Sequence, residues 1–547
     1  MAPIDVVLAG VHPTRNTFSY AVIELKQWSK VGRPQGKKEG DIAYVYFDAY
    51  QKNKKHPAVQ VYDNMIAMQT RHSLFDDRYV NLVGAAYLHN LREQQYQWIC
   101  NVRPRGNVQT FTERTPGKLQ AFLAQNFDKV SGADAAEALL ERRRRTPSLQ
   151  SVLGEVIRGH SRFTLVEHQL AAYDRILARL KDIQGGDRPP KQVFVISGRA
   201  GTGKSLIATL LLGEAIGSGL DARYVSGGVA SRETFKEAAP RGTKNRFTTL
   251  SKLIEADDDA FELIVCDEAH RLYERPRRGS FGMHDGDSSV AVIVNKARVP
   301  VFFVDGDQRL FKEEVWTPVE IEEAAMEMGA EVVRFNLDRV VRSLGSTTYD
   351  TWVARLLAGN PVRWEPKDGN EPFELYYSDI PDRMERFLSS KQTPEVTARM
   401  TAGLCWPWED RTGTVPEVKP TKRWGRPWNG PDKSVAPGVP DRLFWATQAG
   451  GFDQIGCVHT AQGLEYHWGG VIMGPDLTWD GSQWVLERQH VLSPAAKIRS
   501  DDDLHRALRN AYGVLLTRSM RGTVLYSTDS RTRELFADLG LPKCPNA

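Results

Sequence analysis

The sequence lacks any long apolar run, and no stretch approaches the ~18–20 residues that a bilayer-spanning helix needs. We therefore expect no membrane partner. The opening segment MAPIDVVLAG has no basic stretch followed by a long apolar core and a cleavage site, so it is unlike a secretory signal. Cysteine is scarce too: five cysteines lie far apart, with neither metal-ligand spacing nor a disulfide framework. This usage favours a reducing, cytoplasmic setting.

An excess of one charge is also missing, because 72 basic and 68 acidic residues leave a formal net charge of +4. A nucleic-acid binder needs a basic groove rather than a basic total, so this balance neither supports nor excludes nucleic acid. The densest basic run, Arg142 to Arg145, is either a solvated linker or a phosphate contact. The length of 547 residues allows roughly three or four domains.

Three regions follow one another along the chain, at residues 1–150, 151–330 and 331–547. The first begins with two β-like runs, at 4–10 and 18–27. The second alternates buried strands such as VFVISG and FELIVCDE with helical segments, which predicts an α/β fold with a parallel sheet. The third ends with the strand-like runs GVLLTR and GTVLYST, and it contains an insertion rich in Pro, Trp and Gly from about 406 to 440.

The strongest motif is GRAGTGKS at residues 198–205, which matches G-x-x-x-x-G-K-[ST] between an apolar strand and an apolar helix. Glycines let the backbone curl so that several N–H groups face one phosphate chain at a helix N-terminus. Lys204 is expected to neutralise the β- and γ-phosphates of ATP, and Ser205 to hold Mg²⁺. The expected ATP-binding residues of the loop are Gly198, Gly201, Thr202, Gly203, Lys204 and Ser205.

Two acidic residues follow the strand FELIVC, and they fit the hydrolysis site of such a loop. Asp267 is expected to bind Mg²⁺, and Glu268 to orient and deprotonate the attacking water. Gln308, after the next strand, is placed to sense the γ-phosphate. Arg342 and Arg518 are candidates to stabilise the phosphoryl group during transfer.

Two further segments are assigned to the ATP site. Gln169 precedes a helix upstream of the loop, and its amide can bond to the adenine edge. The segment VHTAQGLEY contains Thr460, Gln462 and Glu465, which lie where a loop can link nucleic acid to ATP. The alternative for this segment is an ordinary polar turn.

In their order, these pieces resemble the Schlafen-like DNA/RNA helicase domain of superfamily 1. The resemblance runs from about residue 163 to the C-terminus and is carried by FTLVEHQ, GRAGTGKS, VASRETF, DEAHRL, VDGDQRL, LDRVVRS, AGLCWPW, VHTAQGLEY and GVLLTRSMRG. It implies two RecA-like parallel-sheet domains, with ATP in the cleft and single-stranded nucleic acid across the top. The tryptophans of the insertion, Trp406, Trp408, Trp424 and Trp428, are either base-stacking platforms or a local aromatic core.

The N-terminal region carries a weaker motif. Asp5 lies in the first β-like run, and Glu24 and Lys26 lie in the second, two residues apart and so on one face, opposite Ile23 and Leu25. Two carboxylates and a lysine on adjacent strands can hold Mg²⁺ and position a water for phosphodiester attack. The pattern resembles the PD-(D/E)XK nuclease family, which implies a restriction-endonuclease-like α/β domain. An amphipathic edge strand with an ordinary ion pair is the alternative.

The sequence therefore predicts an ATP-dependent translocase or helicase with a linked metal-dependent nuclease. Its expected partner is single-stranded or partly duplex nucleic acid, DNA more than RNA. A motor whose N-terminal domain only binds nucleic acid is one alternative. An ATP-gated switch that times assembly with a partner is another, since strand separation does not follow from these motifs.

Overall fold

The computed structural model describes residues 4–32, 44–47, 52–77, 79–92, 94–101, 107–141, 149–159, 165, 167–185, 190–276, 286–306, 315–338, 346–365, 373–394, 396–410, 412–431, 433, 436–492 and 500–546. Gln308, Arg342 and the run from Arg142 to Arg145 lie outside these residues. The chain divides into two compact units, Met1–Thr146 with Arg162–Glu167, and Pro147–Ser161 with His168–Ala547. Among the described helices, none is both long and apolar enough to cross a bilayer.

The first unit is built on a four-stranded sheet of order β1-β2-β5-β6. Strands β1 and β2 are antiparallel, whereas β2, β5 and β6 run parallel. A separate hairpin joins β3 to β4. The elements are β1 Val6–Val11, β2 Phe18–Lys26, β3 Tyr44–Phe47, β4 Lys52–Lys55, α1 Pro57–Arg71, β5 Asn81–Leu88, β6 Val108–Thr112, α2 Pro116–Asn126 and α3 Ala133–Glu141.

Both faces of strand β2 are covered, so its alternating side chains enter two different apolar clusters. Val22 packs in a cluster with Val61 and Met65 of α1. Ile23 packs on the other face, in a cluster with Phe122 of α2. Because side chains alternate along a strand, Glu24 lies on the α1 face with Val22. Leu25 was expected to lie with Ile23 on the apolar face of this strand, but it is 43% exposed.

The second unit contains a five-stranded parallel sheet of order β11-β7-β10-β9-β8. Its three central strands, β7, β10 and β9, are nearly continuous apolar runs, as expected of a sheet covered by helices on both faces. The elements are α4 Leu149–Ile157, α5 Glu167–Gln184, β7 Gln192–Gly198, α6 Lys204–Gly217, β8 Ala222–Ser226, α7 Val229–Ala238, α8 Leu250–Leu253, β9 Phe261–Asp267, α9 Ser289–Lys296, β10 Ala297–Val304, α10 Pro318–Glu327 and β11 Glu331–Leu337.

A second parallel sheet in the same unit has the order β12-β18-β15-β13-β14. The prediction of a mixed α/β protein with two parallel sheets is thus confirmed. The elements are α11 Thr347–Leu357, β12 Glu374–Tyr377, α12 Pro381–Ser390, β13 Ala398–Ala402, β14 Ile455–Gly456, α13 Val458–Ala461, β15 Tyr466–Met473, β16 Leu477–Trp479, β17 Trp484–Leu486, α14 Asp501–Leu516, β18 Ser519–Ser527 and α15 Ser530–Asp538.

The Trp-rich insertion forms a local aromatic core rather than an open stacking platform. Trp424 and Trp428 are buried, and Trp406 and Trp408 pack against the same cluster. The rings of Trp408 and Trp428 stack with their centroids 5.2 Å apart. The indole N–H of Trp428 donates to the carbonyl of Pro407 at 2.8 Å. Of the two interpretations of these tryptophans, burial favours the structural one.

Candidate nucleotide and metal sites

Three strand ends converge in the first parallel sheet. Strands β7, β10 and β9 are consecutive neighbours and run parallel, so their carboxyl ends meet at one edge. The loop of residues 198–205 follows β7, Asp305 follows β10, and Asp267 ends β9. Residues that are far apart in sequence thus reach one place because each lies at the end of a strand.

The loop has the curled backbone that its glycines predict. Gly201 and Gly203 have φ of +79° and +86°, a region that side chains with a Cβ rarely occupy. Thr202 is buried, and its hydroxyl donates to the carbonyl of Arg199 at 2.9 Å. Helix α6 begins directly after Gly203, so its first N–H groups face the loop. This combination is suited to a phosphate chain.

Lys204 lies over its own loop. Its Nζ donates to the carbonyls of Gly198 at 2.6 Å and Arg199 at 2.8 Å, and it lies 3.5 Å from Oδ2 of Asp305. The side chain is only 7% exposed. A buried ammonium held by two neutral carbonyls and one carboxylate is placed to exchange these contacts for phosphate oxygens.

Asp267 is fully buried at the end of β9. Burial raises the pKa of its carboxyl group to about 6, and the neighbouring Glu268 adds to this effect. Hydrogen bonds from Ser205 and Tyr224 and the charge of Lys204 act in the opposite direction. A hydroxyl and a carboxylate oxygen in direct contact are the hard ligands that Mg²⁺ prefers, so Ser205 and Asp267 fit a metal ion.

Glu268 occupies a strained backbone position directly after β9. Its φ is +52°, one of three positive values among the described residues other than glycine. Such a conformation costs on the order of 1–3 kcal/mol and is concentrated at active sites. The residue is 7% exposed at the same sheet edge as Lys204, which is where a general base for water is needed.

Gln169 is hydrogen-bonded to the phosphate loop. It is 2% exposed on α5, and its Nε2 donates to the carbonyl of Thr202 at 2.7 Å. This bond fixes the side chain beside the phosphate loop. A contact with adenine would have to use the other hydrogen-bonding groups of this amide, and it stays a prediction.

The segment before β15 reaches the first sheet. A Cβ on Gly463 would lie 2.8 Å from Cβ of Ser231 on α7 and 3.6 Å from Oε1 of Glu268. Glu465 follows two residues later, at the start of β15. Because Tyr466 pairs with Ser519, Glu465 and Arg518 lie at the starts of neighbouring strands. The second sheet therefore meets the nucleotide edge through this segment.

Arg518 is turned toward its own helix. The side chain is 2% exposed, its Nε donates to the carbonyl of Val514 at 2.9 Å, and Nη2 donates to Oγ1 of Thr517 at 3.3 Å. Nε is one of five N–H donors of the guanidinium, so the bond to Val514 holds the side chain without using all of its donors.

A cavity of about 370 Å³ lies beside the loop. It is walled by Arg199, Ala200 and Asp305 on one side and by residues of α11 and α14 on the other. Thr517, next to Arg518, is part of its lining. The cleft between the two parallel sheets is therefore open next to the phosphate loop, where a nucleotide needs space.

The N-terminal residues are also brought together. Oδ2 of Asp5 accepts the backbone N–H of Leu25 at 2.8 Å, which places Asp5 at the level of Glu24 across the β1–β2 pair. Nζ of Lys26 lies 2.5 Å from Oε1 of Glu24. Gln60 of α1 donates to the same oxygen at 2.5 Å. Glu24 and Lys26 thus interact on one face, as period-two spacing predicts.

Glu24 has an unusual environment for a carboxylate. It is 2% exposed, and its second oxygen, Oε2, has no hydrogen-bond partner among the described residues. Burial raises the pKa of Glu24, while Lys26 lowers it and Asp5 raises it. Within the described ranges, no group of three or more His, Cys, Asp or Glu side chains is arranged to hold a metal ion. The carboxylates of Asp5 and Glu24, with Oε2 of Glu24 unbonded among the described residues, are compatible with one metal ion whose other ligands come from water or phosphate.

Three contacting residues were not assigned from the sequence. Gln60 reaches Glu24 from α1, Tyr224 reaches Asp267 from β8, and His270 lies beside Glu268. For Gln60 and Tyr224 the only sequence signal is a polar group in an otherwise apolar segment. His270 belongs to the DEAH motif, but its role depends on which side chains surround it.

A family model matches the part of the chain that carries the phosphate loop and the acidic pair. The family described as Schlafen group 3, DNA/RNA helicase domain, matches residues 191–529. An uncharacterized protein of Saccharomyces cerevisiae is 29% identical over 98 residues, which is 16% of this chain and 22% of that protein. The chain thus spans about a fifth of the length of this curated relative.

Two solved structures have weaker similarity. Pif1 helicase from Candida albicans is 12% identical, with a TM-score of 0.28, over 69% of this chain and 100% of that one. AMPPCP-bound DnaA from Aquifex aeolicus is 16% identical, with a TM-score of 0.20, over 39% and 58%. TM-scores this low do not indicate a common arrangement, so the fold rests on the two parallel sheets and on the family match, which covers more than half of the chain.

Proposed function

Because the chain belongs to the Schlafen group 3 DNA/RNA helicase domain family, we propose that it hydrolyses ATP to translocate along nucleic acid or to separate its strands. The observation that carries the proposal is the convergence of Lys204, Asp267 and Glu268 at one sheet edge. The 370 Å³ cleft beside Arg199, Ala200 and Asp305, and the approach of the second sheet, support a coupling of ATP hydrolysis to movement between the two sheets.

Each residue of the site has a proposed role. Lys204 binds the β- and γ-phosphates, with the loop glycines and Gln169 shaping the pocket. Glu268 takes the proton of the attacking water. Mg²⁺ held by Ser205 and Asp267 would supply charge neutralisation on the phosphates. Arg518, Arg342, Gln308 and Glu465 are proposed to complete the site during closure, and the two that lie outside the described residues, Arg342 and Gln308, are supported by their sequence order alone.

The proposed partner is single-stranded or partly duplex nucleic acid, DNA rather than RNA. Its site is proposed above the cleft, in the two domains at 151–330 and 331–547. A cytoplasmic location is supported by the cysteines, all five of which are free thiols.

Nucleic-acid-stimulated ATP hydrolysis tests this function. We expect the ATPase rate of the full chain to rise when single-stranded DNA is added, and to rise less with RNA of the same sequence. Affinity should fall with salt, because phosphate contacts release counterions. A rate that no DNA or RNA oligonucleotide changes would instead favour the ATP-gated switch.

A second function is proposed for the N-terminal unit, a metal-dependent nuclease using Asp5, Glu24 and Lys26. The specific observation is Glu24: a buried carboxylate next to Lys26 and Asp5, with one oxygen that has no described partner. Asp5 and Glu24 would bind Mg²⁺ or Mn²⁺, and Lys26 would orient the water and stabilise the phosphate. A domain that binds nucleic acid without cutting it is the alternative.

Cleavage of labelled DNA with and without Mn²⁺ tests the nuclease. We expect metal-dependent cleavage that is lost in Glu24→Gln, which removes the negative charge at nearly constant volume. Glu113→Gln is the matched control, since Glu113 is a partly exposed carboxylate of the same unit paired with Arg92. Equal cleavage by the two variants, or none by the wild type with either metal, would leave only the motor.

A further inference from the structure

The cavity beside the phosphate loop has two walls, which come from the helices and loops of different parallel sheets. Arg199, Ala200 and Asp305 form the wall at the nucleotide edge of the first sheet. The facing wall belongs in large part to α14, which contributes Arg506, Arg509, Asn510, Gly513, Val514 and Thr517. Positions three or four apart lie on one side of a helix, so α14 presents a single face to the cavity.

This cavity adjoins one end of the proposed nucleotide site. Nζ of Lys204 lies 3.5 Å from Oδ2 of Asp305, which is part of the cavity wall. Because Lys204 is the proposed ligand of the β- and γ-phosphates, the end of the phosphate chain comes next to this wall. Gln169, the residue assigned to adenine, bonds to Thr202, and neither of these two residues lines the cavity. The cavity therefore lies at the γ-phosphate end of the nucleotide and not at its adenine end.

Arg509 lines this cavity with hydrogen-bond donors still available. Its Nη1 lies 3.5 Å from the carbonyl oxygen of Leu357, beyond the usual length of a hydrogen bond. Its Nε is buried and has no hydrogen-bond partner among the described residues. A buried donor without an acceptor is destabilising, because nothing replaces the water that it loses. Since a guanidinium binds phosphate through two parallel N–H···O bonds, a phosphate oxygen in the cavity would satisfy these donors.

The other arginines of α14 and of the turn after it are placed differently. Arg506 lines the same cavity, but its side chain is 67% exposed and its Nη1 lies 3.4 Å from Oδ1 of Asp503. Arg518 is 2% exposed, bonds to Val514 and is not part of the cavity wall. Three arginines and two aspartates make up the charged part of the wall, and Lys204 adjoins one of these aspartates, so the cavity favours an anion.

We propose that Arg509 binds the γ-phosphate of ATP across this cavity and thereby distinguishes ATP from ADP. The contact forms when the triphosphate binds, so it contributes to affinity for ATP and not to the chemical step. When the γ-phosphate leaves, Arg509 loses its ligand, and α14 loses this link to the phosphate loop. The inference rests on the proposed function, and it names the residue on the second sheet's side of the cleft that recognises the triphosphate.

The test is the preference of the full chain for AMPPCP, a non-hydrolysable analogue of ATP, over ADP, with both affinities measured by calorimetry in the presence of Mg²⁺. Removing a hydrogen-bonded charge from the γ-phosphate should lower this preference about 10–100-fold in Arg509→Ala, with the affinity for ADP unchanged. The kcat at saturating ATP should stay within about threefold of the wild-type value, while KM rises. Arg509→Gln keeps most of the stem without the charge. It should lose the preference to the same extent, and it takes the place of the alanine variant if that variant does not fold.

Arg506→Ala is the matched control, because it removes the same charge from the same helix and cavity, but from an exposed side chain. It should keep the wild-type preference, and an equal loss in both alanine variants would show a general effect of charge and overturn the role of Arg509. A wild type that binds neither nucleotide overturns the proposed function. A wild type that binds both equally, or an Arg509 variant that keeps the preference or loses both affinities by the same factor, overturns the inference and leaves the site of hydrolysis intact.

Discussion

The hydroxyl of Tyr224 donates to Oδ2 of Asp267 at 2.7 Å. Tyr224 is completely buried on β8, next to β9, and its pKa is raised well above the ordinary value by burial and by Asp267. The phenol therefore remains a hydrogen-bond donor at every pH at which the protein works. It fixes Oδ2 of Asp267, while the other oxygen, Oδ1, accepts the backbone N–H of the adjacent Glu268 at 3.0 Å.

Tyr224→Phe should weaken the use of Mg²⁺. A hydrogen bond to a charged group contributes about 1.5–3 kcal/mol, so we expect the Mg²⁺ concentration for half-maximal ATPase to rise by about tenfold. Saturating Mg²⁺ should restore most of the rate. Tyr349→Phe is the control, since Tyr349 is an equally buried phenol that donates to the carbonyl of Leu516 at 2.7 Å, in the core of the second sheet. The same Mg²⁺ dependence in both variants would contradict the role of Tyr224.

His56 should make folding depend on pH. The ring is buried at the start of α1, where Nδ1 accepts the N–H of Ala58 at 3.1 Å and Nε2 lies 3.1 Å from the carbonyl of Ile99. Burial lowers its pKa from 6.5 to about 4. The unfolded chain therefore binds a proton that the folded chain excludes. The stabilising effect is complete above pH 6.5 and is lost as the pH falls toward 4.

Urea unfolding at a series of pH values measures this effect. The full loss is on the order of 3 kcal/mol for a shift of this size. His56→Asn keeps an N-cap acceptor but does not titrate, so its free energy of unfolding should fall less between about pH 6.5 and about pH 4. Identical pH slopes for wild type and variant would show that His56 is not held neutral.

Gly463→Ala should separate backbone strain from contact across the cleft. Gly463 has φ of +82°, and an added Cβ would press on Ser231 at 2.8 Å. Gly438 has nearly the same φ, +78°, with nothing within 4 Å of an added Cβ. Both alanine variants should lose about 1–2 kcal/mol of stability from the left-handed conformation. Only Gly463→Ala should also lose stimulation by nucleic acid, which ATPase assays with and without DNA will show.

The nucleotide site could be predicted because its ligands are contiguous or lie at strand ends. Residues 198–205 supply the loop, the lysine and the hydroxyl from a single turn. Asp267 and Glu268 follow an apolar strand, and parallel strands bring their ends together whatever the rest of the chain does. The pairing of β1, which begins directly after Asp5, with β2, which holds Glu24, follows from two short runs close in sequence, and the contact of Glu24 with Lys26 follows from the period of a strand.

The partners of these residues could not be predicted, because they come from distant parts of the chain. Gln462 is 192 residues from His270, and Gln60 is 36 residues from Glu24. Both contacts depend on how a helix or a second sheet packs. The exposure of Leu25 is another case: alternation identifies its face but does not show where the covering helix ends. The burial of Trp428 likewise depends on how the insertion folds back on β13 and β14.

ATP binding and turnover, measured side by side in Lys204→Ala and Glu268→Gln, test the central claim most directly. Lys204→Ala removes the ammonium that faces the phosphates, so nucleotide binding should be lost. Glu268→Gln removes only the base, so binding should persist at wild-type affinity while turnover falls by about 10²–10⁴-fold. Full ATPase activity in Glu268→Gln, or wild-type nucleotide affinity in Lys204→Ala, would contradict the assignment of this sheet edge as the site of hydrolysis.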